Sequence, residues 1–167
     1  HAQSNERRAG KKWRLDLLGW DRYLKNSRNK DLPSKAESWN LPEKVLKLKM
    51  AQIAETITAL EKLRELEERK GWTKGEAKSF HVQLSEIIRT YIDARFSISS
   101  LESTTREAAV QINLLDISQS DKSNLISALR LGDKIKFAKH TARTDDHIKV
   151  IKTCIEFVEN TMENPES

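Results

Sequence analysis

Cysteine is nearly missing from this sequence: of 167 residues, only Cys154 carries a thiol. An internal disulfide is therefore impossible, and so is a zinc site built on several cysteines. Proline and glycine are scarce too, at three and five residues, which disfavours a fold of many strands and tight turns. No apolar run approaches the roughly 18–20 residues that span a bilayer, and the start of the chain has no signal-peptide pattern. The glycines are isolated from one another, so no glycine-rich loop can cradle a phosphate, and neither GxSxG nor HExxH occurs. His81 and His140 lie far apart in sequence, as do His1 and His147, and no two share a helical face at i, i+4. These absences leave no catalytic, cofactor-binding or metal-binding set, and the expectation is a protein that is not an enzyme.

What the chain does have is charge, 33% of its residues, beside 37% hydrophobic residues. At this length that supports one domain with its own core. The net charge of +5 is unevenly placed. Residues 1–30 hold nine Lys or Arg against Glu6, Asp16 and Asp21, a net of +6, and the other 137 residues come to −1. A basic arm beside a near-neutral body suits a phosphate-rich surface, either lipid or nucleic acid.

Within residues 1–42, His1–Lys12 reads as a polar tail. Trp13, Leu17, Trp20 and Leu24 then share one face of a short amphipathic helix. Arg7, Arg8, Lys11, Lys12, Trp13, Arg14, Leu17 and Trp20 form a candidate membrane or partner surface, with the tryptophans at headgroup level. The same stripe could instead pack on the body. Residues 25–42 have no periodicity and two prolines, the mark of a linker.

From 43 to 163 the pattern is helical. Leu46, Met50, Ile53, Ile57, Leu60, Leu63 and Leu66 recur every three or four residues, with Glu43–Lys47 and Glu65–Arg69 spaced for pairing at i, i+4. Pro42 suits the start of this helix and Gly71 its C-terminal cap. Thr73 and Glu76 have capping-box spacing, and Ala77, Phe80, Leu84, Ile87, Ile88, Tyr91 and Phe96 form the next apolar face. Ser97–Ser103 is a loop. Thr104 and Glu107 repeat the capping box before a shorter helix, and Ser118 or Ser120 caps a fourth with Leu125, Ile126, Leu129, Leu131 and Ile135 inward. Thr144 caps a last helix whose stripe is Ile148, Ile151, Ile155, Val158 and Met162, stopped at Asn164-Pro165. The architecture expected is all-α: a compact bundle of about five helices joined by short loops, with the N-terminal amphipathic helix in addition.

Two clusters stand out on these helices. Arg89, Tyr91, Arg95 and Phe96 fall together, with Arg89 and Asp93 spaced for an i, i+4 pair and the aromatic rings expected in the core. Lys134, Lys136 and Lys139 surround Phe137 near a helix end, where cations complement the dipole. Each is a candidate interaction or structural cluster. Asp145-Asp146 reads as acidic residues favouring a helix N-terminus, and Cys154 as a buried, inert thiol.

Three segments taken in order carry a resemblance. ALEKLRELEERKGW, FHVQLSEIIRTYIDARFSISSLESTTREAA and LRLGDKIKFAKHTARTDDHIKVIKTCIEFVENT, spanning residues 59–161, are similar to the cytoplasmic C-terminal domain of BatD-like bacterial membrane proteins. In the second, the match is to F-x-x-L-S-x-I-x-R-x-Y-I-x-x-R-F-x-I; in the third, to a D-x-x-K-F-A-K stretch and a closing F-V-E-x-T. The resemblance implies extracytoplasmic β-rich domains, one transmembrane helix and a helical tail at the cytoplasmic face of the inner membrane. It implies protein partners, a MoxR-type AAA+ ATPase or a von Willebrand factor A domain protein, in a system linked to stress tolerance. It assigns no catalytic residue, and makes Arg89, Tyr91, Arg95, Phe96, Lys136, Phe137 and Lys139 family positions. Residues 1–42 fall outside the similarity; on this reading they are a juxtamembrane arm, and the anchoring helix precedes His1. The expected function is a non-catalytic interaction domain, and the alternative is a small helical nucleic-acid-binding protein that uses the basic arm.

Overall fold

The computed structural model describes residues 42–137 and 141–162, and they form an all-helical fold. The helix expected over Trp13–Leu24, Lys139 and the Asn164-Pro165 stop lie outside the described residues. Five helices follow in order: α1 (Glu43–Arg69), α2 (Ala77–Phe96), α3 (Thr105–Asn113), α4 (Gln119–Phe137) and α5 (Thr144–Thr161), with a 3-10 turn at Gly71–Lys74. No strand occurs among the described residues.

The leucine and isoleucine periodicity of α1 does what it predicts. Ile53, Ile57, Leu60, Leu63 and Leu66 are buried, while Met50 is half-buried. α1 packs against α2 and α5, α2 against α4, and α4 against α5, so four helices close a ring around the core. α3 sits outside that ring and packs on α4. Phe80, Leu84, Ile88, Tyr91 and Ile92 of α2 fill the centre with Ile112, Leu125, Ile151, Phe157 and Val158. Burial of this continuous apolar set is the main source of stability.

Helix directions follow from the side chains that meet. Arg69 Nη2 donates to Gln83 Oε1 at 3.1 Å, and Gln52 Nε2 to the Arg95 carbonyl at 3.4 Å, so α1 and α2 are antiparallel. Asn160 Nδ2 donates to Asp121 Oδ1 at 3.0 Å, joining the end of α5 to the start of α4. α2 and α5 are then parallel across the ring. His81 meets His147 near their starts and Arg95 meets Thr161 near their ends, both at a sequence separation of 66.

The caps divide into those expected and those corrected. The Thr104–Glu107 box is complete: Thr104 Oγ1 accepts from Glu107 N at 3.2 Å, and Glu107 Oε2 accepts from Thr104 N at 3.0 Å. Ser118 rather than Ser120 starts α4, its Oγ accepting from Asp121 N at 3.1 Å. At the end of α1 the left-handed residue is Lys70, at φ 47° and ψ 49°, not Gly71. Gly71 is buried in the 3-10 turn, and among the described glycines the one with a positive φ is Gly75, at 75°. Thr73 does not form a box with Glu76. Its hydroxyl reaches back to the Lys70 carbonyl at 2.7 Å, satisfying the outgoing end of α1, and α2 starts only at Ala77. Thr144 is the first helical residue of α5 rather than its cap; Arg143 precedes it, donating its N–H to Asp146 Oδ2 at 3.0 Å.

The inward face of α5 also needs correction. Ile151 and Val158 are buried as expected, but Ile148, Ile155 and Met162 are half-buried flank positions. The buried face is completed by His147, Val150, Cys154, Phe157 and Thr161. Polar His147 and Thr161 are tolerated inside because α2 supplies their hydrogen-bond partners. On α4, Leu131 is likewise half-buried and Ala128 takes an inward place.

Candidate interaction surface

The surface is best built from Arg89 outward. This guanidinium is buried on α2, and its four bonds account for why. Nε donates to Ser85 Oγ at 3.2 Å, Nη2 to Thr105 Oγ1 at 2.8 Å, and Nη1 to the carbonyls of Ser103, at 3.0 Å, and Ser100. Asp93 does not pair with Arg89 along the helix, as the i, i+4 spacing had implied. Its carboxylate turns to the same loop, accepting from Ser100 N at 2.7 Å, Leu101 N at 3.0 Å and the Ser100 hydroxyl. Ser100, fully buried, thus lies between the two charges. In place of the i, i+4 pair the two side chains form an internal clamp of charge-assisted bonds on the loop that leads into α3.

That clamp fixes α3, and the capping box fixes its first turn. α3 buries Ala108, Ala109 and Ile112. On its other side Val110 and Leu114, one helical turn apart, are 61% and 82% exposed. Leu101 is also exposed in the clamped loop. Single exposed apolar residues are ordinary, but two neighbours on the outer face of a short, rigidly held helix form a ridge.

Of the remaining members of the first cluster, Tyr91 is interior, and Arg95 and Phe96 are half-buried. Tyr91 is buried, its hydroxyl 3.0 Å from Thr161 Oγ1. Arg95 Nε donates to the Thr161 carbonyl at 2.9 Å, and the same guanidinium lies 4.9 Å from the centre of the Phe96 ring. Phe96 packs edge-on against Phe157. These residues tie the ends of α2 and α5 together.

The second cluster lies at the opposite end. Lys136 Nζ pairs with Asp133 Oδ1 at 3.2 Å and sits 5.1 Å from the Phe137 ring centre, while Phe137 is 78% exposed and Lys134 is exposed. Lys136 and Arg95 are separated by about the length of α2 from His81 to Arg95, roughly 21 Å at 1.5 Å per residue. The two clusters therefore do not form one site. Arg7, Arg8, Lys11, Lys12, Trp13, Arg14, Leu17 and Trp20 lie outside the described residues, as does Lys139.

Sequence reading missed one constellation altogether. His81 Nε2 and His147 Nδ1 are 2.8 Å apart, both rings buried. Trp72 stacks on His147 with ring centres 5.9 Å apart, and Phe80 meets His81 edge-on at 4.9 Å. Burial, with His147 and Lys136 adding to it, pulls the His81 pKa from 6.5 down to about 4; burial also lowers that of His147, against the pull of Asp146. Spacing could not have found this pair, because the rings come from helices 66 residues apart.

Burial pushes the Cys154 thiol up to about 12, so it is held protonated. Among the described residues no group of three or more His, Cys, Asp or Glu is placed to hold a metal ion, and no helix is long and apolar enough to cross a membrane. A groove of about 260 Å3 between α1 and α2 is lined by Lys62, Glu65, Arg69, Gln83 and Glu86, of which Arg69 and Gln83 bond each other. Compared with family models, curated proteins and solved structures, the chain matches none.

Proposed function

We propose that this chain is a non-catalytic protein-interaction module, the cytoplasmic helical domain of a membrane-anchored bacterial protein of the BatD-like type. The observation that carries the interaction reading is the Val110–Leu114 ridge, exposed on a helix that the Arg89 clamp and the Thr104–Glu107 box hold in place. An interaction surface needs apolar groups presented without a large ordering cost on binding, and a pre-fixed helix meets that need. The resemblance of residues 59–161 supports the choice of partner, a MoxR-type ATPase or a von Willebrand factor A domain protein. The net +6 of residues 1–30 supports placement against an anionic membrane surface.

The test of the ridge uses the purified full chain with each candidate partner in titration calorimetry. The wild type binds one of them, and Val110→Glu with Leu114→Glu weakens that binding at least tenfold. Both positions face solvent, so helical content and unfolding midpoint stay as in the wild type. Binding undiminished by the charged pair, or no binding to either candidate, overturns this assignment of the surface.

The arm is tested separately by co-sedimentation with vesicles. Anionic vesicles retain the chain, neutral ones do not, and removal of residues 1–30 abolishes retention. Short duplex DNA is included as a competitor. Preference for DNA with a steep salt dependence would instead favour the nucleic-acid reading, which rests on the same basic arm.

A further inference from the structure

The His81–His147 pair stands apart from the surface just described and has a chemistry of its own. Two neutral imidazoles at 2.8 Å share one hydrogen, and the outer nitrogens decide which ring provides it. His81 Nδ1 is buried and has no hydrogen-bond partner among the described residues. An N–H there would be an orphan donor, so His81 carries its hydrogen on Nε2 and donates it to His147 Nδ1. The bare Nδ1 faces the backbone of Gly132, where an added Cβ would stand only 3.7 Å away.

Adding one proton to this pair removes that solution. The shared hydrogen remains between the rings, and both outer nitrogens must then carry hydrogens. His81 Nδ1 becomes an N–H facing Leu84, Ile88, Leu129 and Val150, where the polar neighbours are the cation Lys136, which cannot accept, and Ser85, whose hydroxyl oxygen already accepts from Arg89 Nε. The setting opposes the charge as well. His81 is the fifth residue of α2 and His147 the fourth of α5, and because these helices are parallel, both positive N-terminal ends meet here. From α4, Lys136 adds a cation; on α5, Asp146 is the one group that favours the charged form, and Cys154 is a neutral thiol. The 3-10 turn faces the pair with the uncharged Trp72 ring.

We propose that the His81–His147 pair is a proton-sensitive latch that holds the Trp72 turn and the starts of α2 and α5 together, and that opens this end of the bundle on acidification. The other end is tied by bonds that involve no imidazole, Tyr91 to Thr161 and Arg95 to the Thr161 carbonyl. Opening is therefore local. Both imidazoles bind protons less readily in the fold than in the unfolded chain, where they titrate near pH 6.5, and folded His81 takes its proton only at about pH 4. The latch holds fully above pH 6.5 and is progressively lost as pH falls toward 4.

The test is amide hydrogen exchange on the full chain from pH 7.5 to 4.5, corrected for the intrinsic pH dependence of exchange. Protection at Phe80–Leu84 and Ile148–Ile151 falls at least tenfold below pH 6.5, while Ile92–Phe96 and Phe157–Thr161 keep theirs. In the double variant His81→Gln, His147→Asn, the amide nitrogen and oxygen stand where Nε2 and Nδ1 do, preserving the bond without titration. Its protection changes less than twofold over the same range. Equal loss in both proteins, or no loss in the wild type, overturns the latch. If the variant does not fold, imidazole nitrogen shifts of the wild type decide: rings that charge near pH 6.5 with protection intact overturn it, and rings that charge only as protection is lost support it.

Discussion

Arg89→Met lowers the unfolding free energy by about 3 kcal/mol, seen as a lower urea midpoint at unchanged slope. Methionine reproduces the side chain only about as far as Nε, so the loss combines the missing hydrogen bonds of the guanidinium with the space its head leaves empty. Hydrogen bonds from a charged donor contribute about 1.5–3 kcal/mol each, and Arg89 makes four, to Ser85, Ser100, Ser103 and Thr105. The total is smaller than that sum because methionine also removes the cost of burying a guanidinium. What remains is the penalty of leaving the carbonyls of Ser100 and Ser103 without their donor. Arg89→Lys recovers less than half, since an ammonium cannot reproduce a planar guanidinium that reaches two carbonyls and two hydroxyls at once. A loss below about 1 kcal/mol for methionine would show that the loop holds itself, with Asp93 sufficient as its anchor.

The Arg89 variant also separates stability from presentation. With the clamp gone, the loop at 97–104 should become the first site of limited proteolysis, and partner binding through Val110 and Leu114 should weaken even below the unfolding transition. The ridge itself is untouched by the substitution. Its effect on binding would come entirely from the freedom α3 gains, which must be lost again on association.

How much of this was legible in the sequence depends on the range of the interaction. The periodicity over 43–70 yields α1, and the Thr104–Glu107 spacing yields a cap that forms as read, because both signals act within four residues. Asp93 and Arg89 show where local reading stops. Their i, i+4 spacing satisfies the rule for a helical ion pair, yet a loop that follows the helix offers each a set of backbone partners instead. The same holds for Thr73, whose hydroxyl reaches the carbonyl behind it rather than the amide ahead. The His81–His147 pair lies beyond any local rule: it exists because two parallel helices diagonal in the ring bring their first turns together. The exposed Val110–Leu114 ridge was visible only as two apolar residues in a short helix; which side of α3 faces α4 had to come from the packing.

The helix α5 offers the sharpest contrast between an apolar residue that looks central and one that is. Phe157→Ala should cost about 4 kcal/mol, and Ile148→Ala about 1 kcal/mol, measured by the same urea unfolding. Sequence periodicity set Ile148 on the inward stripe and passed over Phe157. The structure reverses them: Ile148 is half-buried on the flank, and Phe157 is 2% exposed. Its ring meets Tyr91 and Phe96 edge-on, each at 6.4 Å between centres. Truncation removes the transfer free energy of a whole phenyl ring and both edge contacts, and leaves a cavity bounded by Tyr91, which is held by Thr161, and Phe96. Because α2 is tied to α5 by that Tyr91–Thr161 bond and by Arg95, the wall cannot collapse cheaply into the space. A difference of less than about 1 kcal/mol between the two variants would mean that this end of the bundle repacks, and the parallel tie between α2 and α5 would then be softer than its hydrogen bonds imply.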